Sequence, residues 1–289
     1  MSLQLPKRVR RVALIAVLAV SALALSSCSA VAHQHISRLG MPVGATDRAP
    51  YIYHLWIGAW IAAILVGFLV WGLIIFAAVR YRRRSDDEVP VQIRYHLPIE
   101  ILYTVAPIIM VVVFFFFTVK TQDEVLAQVP HPDHTIDVVG QQWSWTFNYV
   151  KDKDLNGQTT VFTTGTPAYQ PTLVLPVGET VRVNLRSPDV IHSFWVPAFL
   201  FKMDVIPGRN NHFSFTPTRT GWYAGRCAEL CGVYHSRMLF NVHIVSHNQY
   251  VAYLHHLQAE GNTGLALGGV QTRQEAGIKR VPAQNGAQQ

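Results

Sequence analysis

Long apolar runs and a region of alternating residues divide the 289-residue chain into segments of different kinds. Residues 55–79 and 101–119 contain no charged side chain, over 25 and 19 residues respectively. At about 1.5 Å per residue, each run is long enough to cross the hydrocarbon core of a bilayer as a helix. The pattern therefore predicts two membrane-spanning helices joined by a polar segment.

The region after the second apolar run has a different periodicity. The stretches TLVLPVGETVRVNLRS and NNHFSFTP alternate apolar with polar residues, and proline, glycine and asparagine separate them at short intervals. This pattern indicates an all-β domain, an antiparallel sandwich or barrel, which we place at about residues 135–245. Residues 246–258 are expected to form one closing helix, and the Gly-, Gln- and Ala-rich residues 259–289 a disordered tail.

The N-terminus resembles a secretory signal. Four basic residues precede an uncharged stretch at 12–25 that is too short to span a bilayer: Lys7, Arg8, Arg10 and Arg11. The stretch ends in LSSC, which resembles the lipobox of bacterial lipoproteins, so Cys28 is a candidate lipidation site that would anchor the chain to membrane lipid. The alternative is an ordinary signal-peptidase site with a chance cysteine nearby.

The polar segment between the two spans determines the predicted topology. It is rich in basic residues, which the positive-inside rule places in the cytoplasm: Arg80, Arg82, Arg83, Arg84 and Arg94. The chain after Lys120 is therefore expected on the external face. We predict a signal peptide at 1–27, an external segment at 28–54, a transmembrane hairpin at 55–120, an external domain at 121–258 and the tail at 259–289.

The formal net charge of +7 follows mostly from this topology. Without the four basic residues of the signal segment, the charge would fall to +3. From Lys120 onward, 13 Lys and Arg face 12 Asp and Glu, so the external part is nearly neutral. The composition therefore offers no case for a nucleic-acid partner.

The segment CAELCGVYHSRM, residues 227–238, carries the chemistry with the most specific spacing. Cys227 and Cys231 are four residues apart, His235 follows after four more, and Met238 after a further three. Thiolate, imidazole and thioether groups are soft ligands, which select soft metals. We therefore treat the segment as a candidate metal site.

Three interpretations of this segment compete. An external cysteine pair can form a disulfide, and a structural zinc site can use two Cys and two His. Zinc has no use for Met238, whereas copper electron-transfer sites combine thiolate, imidazole and a weak axial Met. Two thiolates at this spacing can bridge two coppers, and SPDVIHSFWVP offers His192 as a second imidazole. The remaining histidines lack ligand-like spacing with Cys or Met and are unassigned, including His33, His35, His131, His134, His212, His243, His255 and His256.

Together, HSFWVP, KMDVIPGR and CAELCGVYHSRM closely resemble the binuclear copper A centre of cytochrome c oxidase subunit II. The resemblance implies a two-helix hairpin followed by a cupredoxin-like Greek-key barrel. It implies bridging thiolates at Cys227 and Cys231, terminal imidazoles at His192 and His235, and weak axial ligands at Met238 and the Glu229 carbonyl. It also implies a magnesium ion, shared with subunit I, that the Glu229 side chain helps hold near Asp204.

The same resemblance implies an oxidoreductase role in a bacterial cell membrane. The chain would be subunit II of a proton-translocating aa3-type oxidase, beside subunits I and III, receiving electrons from cytochrome c for haem in subunit I. Subunit II of a quinol oxidase is a first rival, although that class lacks the copper ligands. A membrane-tethered copper carrier or copper-delivery protein is a second rival, but it would not need the HSFWVP and IPGR stretches.

The stretch GQQWSWTFNY places four aromatic residues at period two: Trp143, Trp145, Phe147 and Tyr149. For Trp145 and Phe147 the expected role is core packing. Trp143 lies where the resemblance implies an electron-accepting tryptophan facing the donor haem.

Glu100, in HLPIEILYTVAP, opens the second apolar span. A carboxylate there can simply favour the helix dipole, worth about 0.3 to 1 kcal/mol. An ionisable residue at membrane depth is also a functional candidate, and Glu100 matches the family glutamate at the mouth of a proton pathway. The family usually has Trp where this chain has Tyr103.

The stretch NYVKDKDLNGQTT departs from the family pattern of extra carboxylates after the aromatic patch. Lys151 and Lys153 offset Asp152 and Asp154, so long-range attraction of a basic soluble cytochrome c should be weak. We therefore expect a membrane-bound cytochrome c, or one belonging to a cytochrome bc complex, that meets the surface around Trp143.

Overall fold

The computed structural model describes residue 15 and residues 36–85, 88–89 and 92–268. The predicted lipidation site Cys28, most of the signal segment and residues 269–289 lie outside the described residues. The chain forms two compact units, residues 1–42 and 43–289. In the first unit, Arg38 Nε donates a hydrogen bond to the Met41 carbonyl oxygen at 3.1 Å. The helices and sheets described below belong to the second unit.

Two long apolar helices, α1 (Ala49–Arg80) and α2 (Leu97–Leu126), contain the predicted spans. Each has proline in its first turn, where a backbone N–H would have no hydrogen-bond acceptor within the helix, so the missing N–H costs nothing. Their apolar side chains are largely exposed in the isolated chain, as lipid-facing helices require. Arg48 joins the external ends of the helices, because its Nη1 donates to the Glu124 carbonyl oxygen at 2.9 Å. Helix α2 continues six residues past Lys120, so the first residues of the predicted external domain are helical.

In the described part of the chain, ten strands form a sandwich of two five-stranded sheets, followed by one helix. The first sheet has the order β3-β2-β1-β5-β8, and the second has the order β4-β10-β9-β6-β7. The strands are β1 (His134–Gln141), β2 (Ser144–Tyr149), β3 (Val161–Thr164), β4 (Thr172–Pro176), β5 (Val181–Arg186), β6 (His192–Val196), β7 (Phe201–Val205), β8 (Asn211–Phe215), β9 (Gly221–Cys227) and β10 (Leu239–Val245). The prediction of a two-helix hairpin followed by an all-β cupredoxin-like domain is confirmed.

The sheets are mixed, although the alternating pattern suggested an antiparallel arrangement. Strand β1 runs parallel to β5, and β10 runs parallel to β4. These neighbours are distant in sequence, and the chain crosses between the sheets to bring them together. Alternation shows which side chains face the core, but it carries no information about the partner strand.

The aromatic stripe of β2 lies in the core, as predicted for Trp145 and Phe147. Both side chains and that of Tyr149 are fully buried. The closing helix, α3 (His247–Ala259), packs on the same core through buried residues at helical spacing: Tyr250, Leu254 and Leu257. The helix thus lies within one residue of its predicted range.

Candidate metal centre

The sandwich brings the six proposed ligand positions together from two segments. His192 is the first residue of β6, Cys227 is the last residue of β9, and the loop from β9 to β10 supplies the others. Strand β6 pairs with β9 through Phe194 and Cys227. This pairing brings His192 beside Cys227, which lies 35 positions later in the chain, so the site depends on strand order in the second sheet.

Sulfur and nitrogen atoms form a continuous chain across the site. His192 Nδ1 lies 3.9 Å from Cys227 Sγ, which lies 3.9 Å from Cys231 Sγ. Cys231 Sγ in turn lies 3.5 Å from His235 Nδ1 and 3.7 Å from Met238 Sδ. The remaining proposed ligand, the carbonyl oxygen of Glu229, lies 3.2 Å from Cys227 Sγ.

Both cysteines are free thiols and are buried. Their 3.9 Å separation is far longer than the roughly 2.05 Å bond of a disulfide. The hydrogen bond between them lowers the pKa of Cys227 to about 3 and raises that of Cys231, because the two sulfurs share one proton. The arrangement therefore differs from the disulfide interpretation. Metal binding would release the proton that the two sulfurs share.

This donor set fits copper. Two thiols, two imidazole Nδ1 atoms, a fully buried thioether and a backbone carbonyl lie close together, and each imidazole lies beside a different sulfur. A four-coordinate zinc site has no use for the thioether or the carbonyl. Within the described residues, His192, Cys227 and Cys231 form one of two groups able to hold a metal ion.

A carboxylate missed by the sequence analysis orients one imidazole. Asp189 Oδ1 accepts a hydrogen bond from His192 Nε2 at 2.9 Å, leaving Nδ1 directed at Cys227. Burial has the largest single effect and lowers the pKa of His192, but the hydrogen bonds and charges of Asp189 and Cys227 together outweigh burial and raise the pKa. Carboxylate support of this kind fixes the tautomer of a metal-binding histidine. In the sequence, the signal for this role was an acidic residue three positions before His192.

Trp143 contacts the site directly. Its ring is half-buried and packs edge-on against Tyr234, with centroids 5.1 Å apart. Gly232 has a φ of +120°, and a Cβ there would lie 3.1 Å from the indole nitrogen. Glycine therefore permits both this backbone conformation and the close approach of the ring.

Other predicted site residues lie away from the sulfur atoms. Glu100 is in the first turn of α2, where its Oε1 accepts the His96 backbone N–H at 2.7 Å. This hydrogen bond caps the start of the helix, so Glu100 also has a structural role. Asp204 on β7 and the Glu229 side chain are both exposed, so their proposed magnesium site stays a prediction.

A second polar cluster contains a histidine that sequence spacing left unassigned. The buried His134 ring contacts Asp152 Oδ2 at 2.8 Å through Nδ1 and Glu179 Oε2 at 3.0 Å through Nε2. Tyr250 of α3 donates to the same Asp152 oxygen at 2.7 Å. Burial lowers the pKa of His134, but the two carboxylates outweigh burial and raise it overall. The cluster ties α3 to the sandwich.

Comparisons with known proteins agree with this architecture. Residues 134–245 match the family "Cytochrome C oxidase subunit II, periplasmic domain", and residues 34–120 match its "transmembrane domain". A protein named "Probable cytochrome c oxidase subunit 2" from Streptomyces avermitilis is 45% identical, over 92% of this chain and 93% of that protein. "Cytochrome c oxidase subunit 2" of Mycobacterium tuberculosis H37Rv is 36% identical, over 85% and 81%.

Among solved structures, the crystal structure of the periplasmic domain of cytochrome oxidase subunit II from Bradyrhizobium japonicum is 33% identical. The match covers 46% of this chain and 99% of that chain, with a TM-score of 0.40.

Proposed function

The chain belongs to the cytochrome c oxidase subunit II family, and from this premise we propose that its six clustered ligands hold a binuclear copper centre that receives electrons from cytochrome c. Membership makes it part of a haem–copper oxidase, an oxidoreductase, in contact with other oxidase subunits. The family implies a copper A site, and the buried His/Cys/Cys group matches that implication.

Each proposed ligand has a distinct task. Cys227 and Cys231 would hold the coppers through thiolates, since each sulfur lies near both the other sulfur and one imidazole. His192 and His235 would add imidazole ligands, and Met238 and the Glu229 carbonyl would add weaker ones. Bound copper would supply one-electron redox chemistry at these residues, and we propose that this chemistry serves electron transfer from cytochrome c to haem in subunit I of an aa3-type oxidase, where oxygen reduction drives proton pumping.

The observation that carries this proposal is the 3.9 Å contact between two buried thiols, each with its own imidazole. A membrane-tethered copper carrier is the alternative, and it would not require Glu100 or the HSFWVP and IPGR stretches. We assign Glu100 to the mouth of a proton pathway, and the Glu229 side chain to a magnesium ion shared with subunit I.

The donor is proposed to be a cytochrome c held at the membrane, alone or within a cytochrome bc complex. Asp152 and Asp154, the carboxylates nearest the aromatic patch in sequence, are largely buried. Asp152 is bound by His134, and Asp154 lies 3.9 Å from His247. Lys151 stays exposed, and the whole stretch follows the end of β2 opposite to Trp143, so it offers little attraction to a basic soluble donor.

The predicted membrane arrangement completes the proposal. The two spans would place the Arg-rich loop in the cytoplasm of a bacterial cell and the sandwich outside. Cys28 would add a lipid anchor at the start of the external N-terminal segment.

Copper loading of the full-length chain tests the proposed function. Two coppers per chain, a purple colour and a mixed-valence electron paramagnetic resonance signal are expected. Cys227→Ser and Cys231→Ser should each abolish the signal, because an alcohol is a poor substitute for a bridging thiolate. One zinc per chain with no copper uptake would refute the assignment.

A further inference from the structure

One face of the first sheet is polar yet buried. Along β1 and β2, residues that alternate with the core residues should face solvent, but five polar residues there are at most 6% exposed: Asp137, Gln141, Ser144, Thr146 and Asn148. Residues 261–268, which follow α3 and which we name the C-terminal strap, pack against two of them, Asn148 and Gln141. The composition had placed this segment in a disordered tail.

Backbone hydrogen bonds hold the strap against the edge of the sheet. Phe162 N–H donates to the Asn262 carbonyl oxygen at 3.0 Å, and Gly264 N–H donates to the Thr160 carbonyl oxygen at 2.8 Å. Further along the strap, the Asn148 side chain makes two hydrogen bonds with the backbone of Ala266. Its Nδ2 donates to the Ala266 carbonyl oxygen at 3.1 Å, and its Oδ1 accepts the Ala266 N–H at 2.7 Å.

The strap reaches the end of β1 that leads to the metal centre. At Gly268, an added Cβ would overlap Gln141 Oε1 and lie 3.3 Å from Val139 Cγ1. Gln141 is the last residue of β1, and Gln142 and Trp143 follow it directly. The strap therefore packs against the side chain that immediately precedes the segment contacting the site.

Gln142 binds both ligand-bearing loops. Its backbone N–H donates to Asp189 Oδ2 at 2.7 Å, and Asp189 in turn holds His192. Its side-chain Nε2 donates to the Cys231 carbonyl oxygen at 2.8 Å, the same oxygen that accepts the Trp143 indole N–H. A displacement of Gln142 would thus alter contacts to two copper-ligand segments at once.

We propose that the C-terminal strap positions Trp143 against the metal centre, acting through the side chain of Gln141 and the hydrogen bonds of Gln142. Gln141 and Gln142 are positioning residues for electron uptake, and the strap restrains them. This inference rests on the proposed function for its kinetic consequence, whereas its structural content concerns only residues of this chain.

Two glycine substitutions distinguish a strap that positions Trp143 from a strap that only covers the sheet. Gly268 and Gly261 have nearly equal φ angles, +74° and +78°, so Gly268→Ala and Gly261→Ala introduce similar backbone strain. Only the Cβ at Gly268 meets Gln141, because nothing lies within 4 Å of a Cβ at Gly261. Gly261→Ala is therefore the matched control.

Hydrogen–deuterium exchange in the full-length copper-free chain measures the effect without any electron transfer. Gly268→Ala should increase amide exchange in residues 140–146 by at least about tenfold, while Gly261→Ala should leave this segment unchanged. In the assembled oxidase, Gly268→Ala should slow reduction of the metal centre by cytochrome c about tenfold at unchanged copper content. Equal exchange in the two variants would overturn the proposal.

A double variant tests whether Gln141 transmits the effect. In a Gln141→Ala background, Gly268→Ala should no longer alter exchange at residues 140–146, since its Cβ then has no side chain to displace. An undiminished effect in that background would exclude Gln141 as the link. Failure of copper loading alone would refute the proposed function, but it would leave the exchange result standing.

Discussion

The indole N–H of Trp143 donates a hydrogen bond to the carbonyl oxygen of Cys231 at 3.2 Å. A half-exposed aromatic ring is thereby joined to the backbone of a proposed copper ligand by one hydrogen bond. The contact supports Trp143 as the residue that receives electrons from the donor.

Trp143→Phe should keep an aromatic ring but lose this hydrogen bond and part of the indole surface. We expect reduction of the metal centre by cytochrome c to slow by at least about tenfold, equivalent to about 1.4 kcal/mol in the barrier. Stopped-flow absorbance on the assembled oxidase measures this rate. Trp222→Phe is the control, because that indole is 63% exposed and stacks on His243. Equal rates in both variants would remove Trp143 from the electron path.

Asp189→Asn should weaken copper binding. The substitution keeps the shape of the side chain but removes the charge that supports His192 Nε2–H, and losses of such support typically cost 10- to 100-fold in affinity. Competition of the full-length chain with a copper chelator measures the change. Asp137→Asn is the matched control, since Asp137 is equally buried but binds Asn184 and Arg186. Comparable losses in the two variants would indicate general destabilisation.

Glu100→Gln should lower oxidase turnover while copper content and the purple absorption stay constant. The amide keeps the hydrogen bond from His96 N–H but cannot carry a proton. Oxygen consumption and proton release by the reconstituted oxidase are the measurements. Unaltered turnover would leave Glu100 with the helix-terminal role alone.

Salt dependence tests the nature of the donor. Oxidation of a soluble basic cytochrome c should be slow and nearly independent of ionic strength, because Asp152 and Asp154, the carboxylates that follow the aromatic patch, are largely buried. Adding a cytochrome bc complex that carries a tethered cytochrome c should restore rapid turnover. Fast turnover of the unmodified oxidase at low salt that collapses as salt rises would contradict the assignment.

Stability should fall as pH rises through the pKa of His134. The folded chain raises this pKa above its ordinary 6.5, so the stabilisation is complete below that value and is lost above it as the imidazolium deprotonates. His134→Gln should remove this dependence and cost about 3 to 5 kcal/mol, since Asp152 then keeps a buried charge without its cation. Thermal unfolding of the full-length chain between about pH 6 and 9, followed by circular dichroism, measures both effects.

His243→Gln is the control for that experiment. Burial lowers the pKa of His243, so its contribution runs in the opposite direction, and the decline caused by His134 should persist in the variant. A decline that also persists in His134→Gln would assign the pH dependence to another group.

Local patterns in the sequence were sufficient to predict the helices, the strands and the chemical type of the metal ligands. Uninterrupted apolar runs predicted α1 and α2, because only length and hydropathy decide whether a helix can span a bilayer. Alternation predicted the strands and the buried faces of Trp145 and Phe147. The spacing of Cys227, Cys231, His235 and Met238 predicted a soft-metal site, since these residues lie within one short segment and need no distant strand to approach one another.

Tertiary structure alone decided what depends on strand order. The parallel pairs β1/β5 and β4/β10 join residues distant in sequence, and alternation cannot choose between possible partners. For the same reason spacing could not assign His134, whose carboxylates come from two other segments. The C-terminal strap shows the limit most clearly: its composition favours disorder, but Asn148 pairs with its backbone and so orders it. A hydrogen bond between residues 118 positions apart leaves no periodic trace in the chain, because it depends on where the folded sheet places the acceptor.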